Sequence, residues 1–544
     1  MPSPLAIAAI ILAVVYAGIR GLLHLTQHPE EPPAVLFTIP FLSPILGLLK
    51  RRYKLWLDIL HQYKLPIYTI RLPFLRLYVI NDPALITRVE RQPRIIAFAP
   101  LEANATGEVL GMSGEAKRIL KKDPTGPDGH FITFHQQVRP VLSPGPALDE
   151  MNRRSVQSLA SSLESLRMKG STVVELFDWV RHEIVMATTD AEYGVHNPFR
   201  DPEFERMWDV FESHLPLLST GNFLPSLLSP SAVQAREFLP SRMSAYFSAG
   251  HHLPNHHGCS SEANCPGGSP FLHARLAHGR TRGMPLADQA RGELGACIAM
   301  INNTVGAAFW VLYHVFSDER LLSEIRREIE AGVTITGQEE KTTTKTLDLA
   351  HVKYNCPLLL STLEEVFRFR GIAISLVRRV EQDFRLDNKW LVKKGGIVVM
   401  PYAAQHFGSR WGDGDGKFDP YRFLKRGPGK GKKASGFRIF GGGVTRCPGR
   451  EYAVTEVLAL VGLVVAMFDV RPVDGGWKEV GMKAEVVEVS HVFPMPEGEV
   501  KVEVRPREIG KEERWRVVLS ESKRVVYVSE DEEGRKEEKT LETV

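Results

Sequence analysis

Mainly α-helical with small β-sheets, in one large domain behind an N-terminal membrane anchor, is the fold class the sequence predicts. Three observations carry it. An apolar run opens the chain, long segments with helically spaced apolar residues fill its middle, and strand-like pieces are few. The 544 residues are 43% hydrophobic and 24% charged, too many for a small module and too apolar for a disordered chain. Length alone points to several domains, but no internal repeat and no clean linker occurs between about residues 50 and 500. The 68 Lys and Arg face 64 Asp and Glu, and a net charge of +4 offers no grip on a polyanion, so no nucleic-acid partner is expected. Five cysteines exclude a disulfide scaffold and leave at least one thiol unpaired or acting as a ligand.

From Leu5 to Ile19 the chain is apolar residues and Gly. A helix over that run spans about 22 Å, and continuing it to Leu25 reaches about 31 Å, enough for a hydrocarbon core of roughly 30 Å. Arg20 and His24 then lie near one end, where they can snorkel. No Lys or Arg precedes the run, whereas Arg51, Arg52 and Lys54 follow it, which puts the bulk of the protein in the cytosol. The rival, a cleaved signal peptide, lacks its basic leading segment. Residues 1–26 are thus expected to be a transmembrane anchor. Residues 27–50, with Pro29, Pro32, Pro33, Pro40 and Pro44, read as a stiff non-helical neck, and residues 51–506 as the catalytic domain. Residues 507–544 form a solvated tail of mixed charge, within which VVLSESKRVVYV has the pattern of a strand pair. Within the domain, strands are expected at Ile67–Arg71, Val377–Arg385 and Gly396–Met400, and a helix over Asp318–Glu330. Leu294–Phe316 is long enough to span a membrane, but Asn302, Asn303, Thr304 and His314 interrupt it, so a buried central helix is expected.

The cysteine with a chemical context is Cys447, in FRIFGGGVTRCPGRE. Gly441 to Gly443 let backbone approach a flat ligand closely and adopt positive φ. Backbone N–H groups of such a loop, with a helix starting just after it, stabilise a thiolate, and Pro448 suits a helix start. Here the chain resembles the cytochrome P450 family, whose signature F-x-x-G-x-x-x-C-x-G is met by Phe440, Gly443, Cys447 and Gly449. The resemblance implies the P450 fold, haem b as cofactor and Cys447 as the axial thiolate on its iron, a ligand that favours O–O cleavage. The family's E-x-x-R is Glu365 and Arg368. Glu150/Arg153, Glu203/Arg206, Glu324/Arg327 and Glu513/Arg516 match it too, so position decides: Glu365 lies on a helix before the cysteine and is followed by Pro420, Tyr421, Arg422 and Phe423. The resemblance implies that Glu365, Arg368 and Arg422 form a buried network under the cysteine loop. It covers about residues 30 to 500 and makes residues 139 to 447 contributors to one site.

Other marks are partial. His135 and Arg139 stand where the family has W-x-x-x-R, which implies that Arg139 holds a haem propionate and leaves His135 without a known part. Arg378 or Arg379 is a second propionate candidate. The distal helix usually carries A-G-x-D/E-T-T, whose acid and threonine deliver protons during oxygen activation. Here Asn302 holds the acid position and Asn303 the first threonine position, with Thr304 next. An amide hydrogen-bonds but does not titrate near neutral pH. This pattern is similar to the branch containing prostacyclin synthase and sterol 7α-hydroxylase. Thr445, where a basic residue is common, fits the same branch and removes one propionate contact; Arg446 is shifted by one.

The implied activity is that of a monooxygenase inserting one oxygen atom of O2 into a lipophilic small molecule such as a sterol, terpenoid or fatty-acid derivative. Electrons would come from NADPH-cytochrome P450 reductase, on a single-pass protein of the endoplasmic reticulum bilayer. The alternatives are a reductase-independent haem-thiolate isomerase or dehydratase acting on a peroxide or epoxide, and a non-catalytic haem protein. Lys425, Arg426, Lys430, Lys432, Lys433 and Arg438 form a candidate docking patch for an acidic reductase. The residues Asn302, Asn303 and Thr304, with Gly371 to Leu376, are expected to line the substrate cavity. The His- and Cys-bearing segment 251–265 fits no standard zinc spacing and reads as an insertion. Cys297 and Cys356 read as core thiols. The sequon at Asn104 would not meet its transferase on a cytosolic domain.

Overall fold

The structure, a computed structural model, describes residues 3–51, 53–254, 267–336, 343–373, 375–408, 411–412, 416–424, 437–483, 491–507 and 513–520. The opening apolar run is one helix, Pro4–Thr26, with its N-terminus capped by Ser3, most of its side chains exposed and Leu23 buried near its end. At its other end Arg71 and Arg76 each donate to the Thr26 carbonyl at 3.1 Å. Cations on the last carbonyls complement the negative end of a helix, so this apolar helix leaves the domain clamped rather than on a free hinge. The neck is shorter than its prolines suggested. Leu42–Arg51 is a helix, with Pro44 in its first turn, where a missing N–H is harmless.

The chain then lays down a five-stranded sheet in the order Ile67–Leu72, Leu75–Ile80, Ile397–Pro401, Ser375–Val380 and Ile96–Ala97. All pairings are antiparallel except that between Ile397–Pro401 and Leu75–Ile80. The expected strand Val377–Arg385 is in fact two, Ser375–Val380 and Phe384–Leu386, in different sheets. Part of the segment read as a solvated tail is also ordered: Glu513–Val518 pairs in parallel with Thr343–Asp348, and Ser520 caps Asp348. Trp515 packs against the main core, which gives that strand a hydrophobic reason to dock.

The body is helical. Its axis is Leu286–Ser317, the one interior helix among the described residues long and apolar enough to be mistaken for a membrane span. Leu294, Cys297, Ile301, Ala308, Phe309 and Trp310 are fully buried on it. It packs against Leu176–Tyr193, Pro230–Ser248, Pro357–Arg370 and Arg450–Met467. A buried charge cluster ties it to its neighbours: Arg275 reaches Glu192 and Glu293 at 2.5 Å each, and the Tyr193 hydroxyl donates to Glu293 at 3.1 Å. Arg450–Met467 follows the cysteine loop as expected, but starts after the Gly449 cap, with Pro448 outside it.

Candidate active site

The cysteine loop doubles back on itself. The Cys447 N–H donates to the Phe440 carbonyl at 2.8 Å, and Gly441 N–H to the Arg438 carbonyl at 2.9 Å. Gly441 and Gly443 have φ of +77° and +59°, the left-handed region that a Cβ disfavours. Gly442 is extended, yet a Cβ there would lie 2.0 Å from Glu90 Oε1. Glu90 in turn accepts from Arg438 Nε at 3.1 Å. Arg438 is therefore buried in a salt bridge under the loop and cannot belong to an exposed docking patch. The remaining candidates for that patch, Lys425 to Lys433, lie outside the described residues, as does most of segment 251–265.

Cys447 forms part of the wall of a cavity of about 880 Å³. From Cys447, Phe440 and Gly441 the wall runs past the central helix to Leu48, Tyr53, Trp56 and Leu77, and it is dominantly apolar. The central helix contributes Ala299, Met300, Asn303, Thr304 and Ala307. Asn302 is not among them. At 100° per residue it turns away from the face that carries Asn303 and Ala307, and its buried amide has no hydrogen-bond partner among the described residues. The expectation that Asn302 faces the site is thus overturned by helix geometry. Asn303 is held by the loop opposite: its Oδ1 accepts the Val492 N–H at 2.8 Å. That loop is fixed twice more, by Trp310 Nε1 donating to the Pro494 carbonyl at 2.9 Å and by Phe493 seated on Gly306. Thr304 donates its hydroxyl to the Met300 carbonyl at 2.7 Å. Of the stretch Gly371 to Leu376, Ala373, Ser375 and Leu376 line the cavity. Gly371 packs against Phe367 and Ile439, and Ile372 is buried in the cluster beneath the five-stranded sheet.

A second cavity of about 370 Å³ adjoins the first, and Phe98, Arg378 and Thr445 line both. It contains His135 and Arg139. Arg139 donates to the Val444 carbonyl at 3.2 Å, and His135 lies 3.9 Å from Glu102. Arg378, 6% exposed, donates to the Val377 carbonyl and to the Thr445 hydroxyl and meets no carboxylate within ion-pair distance among the described residues. Burial alone pushes its guanidinium below the usual arginine range. Arg379, by contrast, is on the outer side beside Glu381. A buried cation that lacks an anion, beside a half-buried Arg139 in the same condition, fits a ligand that brings carboxylates of its own. A cysteine at the other side of that space fits its metal. The donor set therefore suits a haem, with its acidic edge toward Arg378 and Arg139.

Behind the loop, Glu365 sits at 0% exposure. It accepts from Arg368 at 2.7 and 2.8 Å, from Arg422 at 2.9 Å and from the Asp419 N–H at 2.9 Å. The two guanidiniums spend their other donors on the carbonyls of His406, Trp411 and Lys417. The network thus joins the helix Pro357–Arg370 to three separate pieces of the chain. Cys297 hydrogen-bonds Tyr193 at 3.2 Å in the core, and burial pushes its thiol up; the Cys356 thiol is pushed up to about 12 for the same reason. Neither lines the cavity.

The cytochrome P450 family model matches residues 295–501. Over 507 residues, 91% of this chain and 94% of the relative, the sequence is 31% identical to cytochrome P450 monooxygenase nodJ of Hypoxylon pulicicidum. The chain belongs to the cytochrome P450 family. This P450 is also 22% identical over 503 residues to cytochrome P450 7B1 of Mus musculus, covering 87% of this chain and 91% of that one. A shorter match, 27% over 192 residues, links 34% of this chain to 46% of the 25-hydroxycholesterol 7-alpha-hydroxylase of Rattus norvegicus. Sterol-hydroxylase-like proteins are thus among its relatives. The P450 is an oxidoreductase of the monooxygenase type, with haem as its cofactor, in a family that works with redox partners and lipophilic substrates. Its N-terminal apolar helix fits a membrane anchor.

Residues such as Phe493 and Phe98 line the site without any sequence signal, because they belong to elements far from the motifs and reach the cavity only through packing.

Proposed function

We propose that this P450 inserts one atom of O2 into a C–H bond of a sterol-, terpenoid- or fatty-acid-like substrate. NADPH supplies two electrons through a flavoprotein reductase, and the second oxygen atom leaves as water. The protein works as a single-pass protein of the endoplasmic reticulum, its catalytic domain in the cytosol. The observation that carries this reading is the apolar cavity that begins at Cys447 and continues past the central helix to Trp56 and Leu77. Cys447 would hold the iron of a bound haem, which would supply the activation of O2.

The chain's own residues do the rest. Arg378 and Arg139 hold the propionates and compensate charge that is otherwise unpaired. Glu365, Arg368 and Arg422 keep the loop rigid, so the thiolate does not shift when the ligand binds. The apolar wall excludes bulk water. Asn303, its Oδ1 committed to Val492, has its Nδ2 left to donate to water or a substrate oxygen. Thr304, its proton committed to Met300, accepts from the same water. Together they orient a proton source without titrating. Among the described residues no Asp or Glu lines the cavity. That absence of a carboxyl acid supports a second reading, an isomerase or dehydratase that rearranges a peroxide or epoxide without external electrons.

One experiment separates them. The purified P450 is given candidate sterols, terpenoids and fatty acids with and without NADPH and reductase, alongside Cys447→Ala. Electron-dependent product, and loss in Cys447→Ala of the thiolate band of the reduced CO adduct, is the expected result. Product formed equally without NADPH would replace the monooxygenase with the isomerase.

A further inference from the structure

Among the described residues, two charged side chains line the main cavity, Arg378 and Lys483. Arg378 belongs to the cysteine end, where it binds Thr445. Lys483 belongs elsewhere. It is exposed, and its N–H donates to the Met495 carbonyl at 2.8 Å, which fixes its backbone. The preceding residue, Met482, packs both on the cluster that contains Tyr53, Trp56 and Leu77 and on the main core. Lys483, exposed and yet part of the cavity lining, therefore stands at its rim.

No carboxylate lies within ion-pair distance of Lys483 among the described residues. Glu497, the acid on the adjoining turn, packs against Gly481 instead. A lysine at the rim of an apolar cavity offers a neutral substrate only an ordinary hydrogen bond. An anionic one gains a charge-assisted hydrogen bond while its hydrocarbon body enters the apolar wall.

We infer that Lys483 selects substrates that are lipophilic carboxylic acids, held head-outward with the carboxylate on Nζ and the apolar end toward Cys447. The inference rests on the cavity being the substrate site, as proposed above. It deepens that reading by specifying the substrate's polar group and by placing oxidation at the end remote from it. The cation also disfavours amines of the same shape.

The test uses the full-length, haem-loaded protein in lipid nanodiscs, with empty nanodiscs correcting for partition. Abietic acid and methyl abietate, and hexadecanoic acid and its methyl ester, are titrated at pH 7.5 against the haem absorption band. The acid of each pair is expected to bind about fivefold tighter than its ester, the scale of one partly exposed ion pair. Lys483→Gln should remove that preference by weakening the acid alone, and Lys483→Arg should keep it. Equal binding of acid and ester to the native protein, or an unchanged preference in Lys483→Gln, overturns the inference, as does the failure of both acids to bind. The CO-adduct band reads the Cys447 assignment separately. A protein that keeps that band without any acid preference retains the haem-thiolate site and loses only the role of Lys483.

Discussion

Single side chains in this protein are governed by what compensates them. Arg378 and Arg438 are similarly buried, but Arg438 has Glu90 while Arg378 has only a hydroxyl and a carbonyl. The first is structural, and the second awaits an anion. Glu456 is the converse case. Its Oε1 accepts from Ser155 and Thr188 at 2.9 and 2.8 Å, but no cation answers it, and burial pushes its carboxyl up to about 7. A carboxyl whose folded value lies above its unfolded one holds its proton more tightly in the native state. Stability is then lost as pH rises from about 4.5 to about 7, and the loss is complete above that. Glu456→Gln is expected to melt near the native protein at pH 5 and to be the more stable by on the order of 3 kcal/mol at pH 8. Thermal melts at the two values check this, and a gap that does not widen with pH would contradict it.

At the scale of elements, the helix Pro357–Arg370 and the central helix carry the site between them. The sequence showed Glu365 and Arg368 on one face of a helix; the structure adds Asp419, His406 and Lys417, which complete the shell. Removing one partner from a buried pair leaves an uncompensated charge, at about 3–5 kcal/mol. Arg368→Ala is therefore expected to lower the denaturation midpoint steeply and to lose bound haem. Arg153→Ala, at an exposed E-x-x-R, should lie within about 0.5 kcal/mol of the native protein. Parallel denaturant titrations compare them. The central helix was legible as a buried helix from its apolar length and its interrupting amides. Which of those amides faces the cavity was not, because a one-residue step rotates a side chain by 100° and nothing in the local pattern fixes the phase.

For the whole molecule, the junction between anchor and domain is the informative place. Arg71 and Arg76 hold the Thr26 carbonyl, and Glu31, buried nearby, accepts from the Tyr78 hydroxyl at 2.6 Å and pairs with Arg76 at 2.9 Å. The segment after the apolar helix is thus fastened to the first two strands of the five-stranded sheet, and the helix's direction is set by the domain. A chain lacking residues 1–25 keeps these strand contacts, so it is expected to fold and bind haem, but to move from the carbonate-resistant membrane fraction to the extractable one. Retention in the resistant fraction would show that other surfaces suffice to hold it.

The sequence by itself determined what depends on neighbours along the chain. The glycines that allow positive φ, the cysteine they present, the helical spacing of Glu365 and Arg368 and the apolar length of the anchor are all local, and all were legible. Only the tertiary structure decided what depends on contacts between distant segments. It buried Arg438 against Glu90, turned Asn302 out of the site and committed Asn303 to Val492. It also docked a strand from the charged tail and left Arg378 and Lys483 as charged residues in the cavity wall. The physical reason is that backbone conformation is set by adjacent residues, whereas the compensation of a buried charge is set by whichever segment folding brings against it.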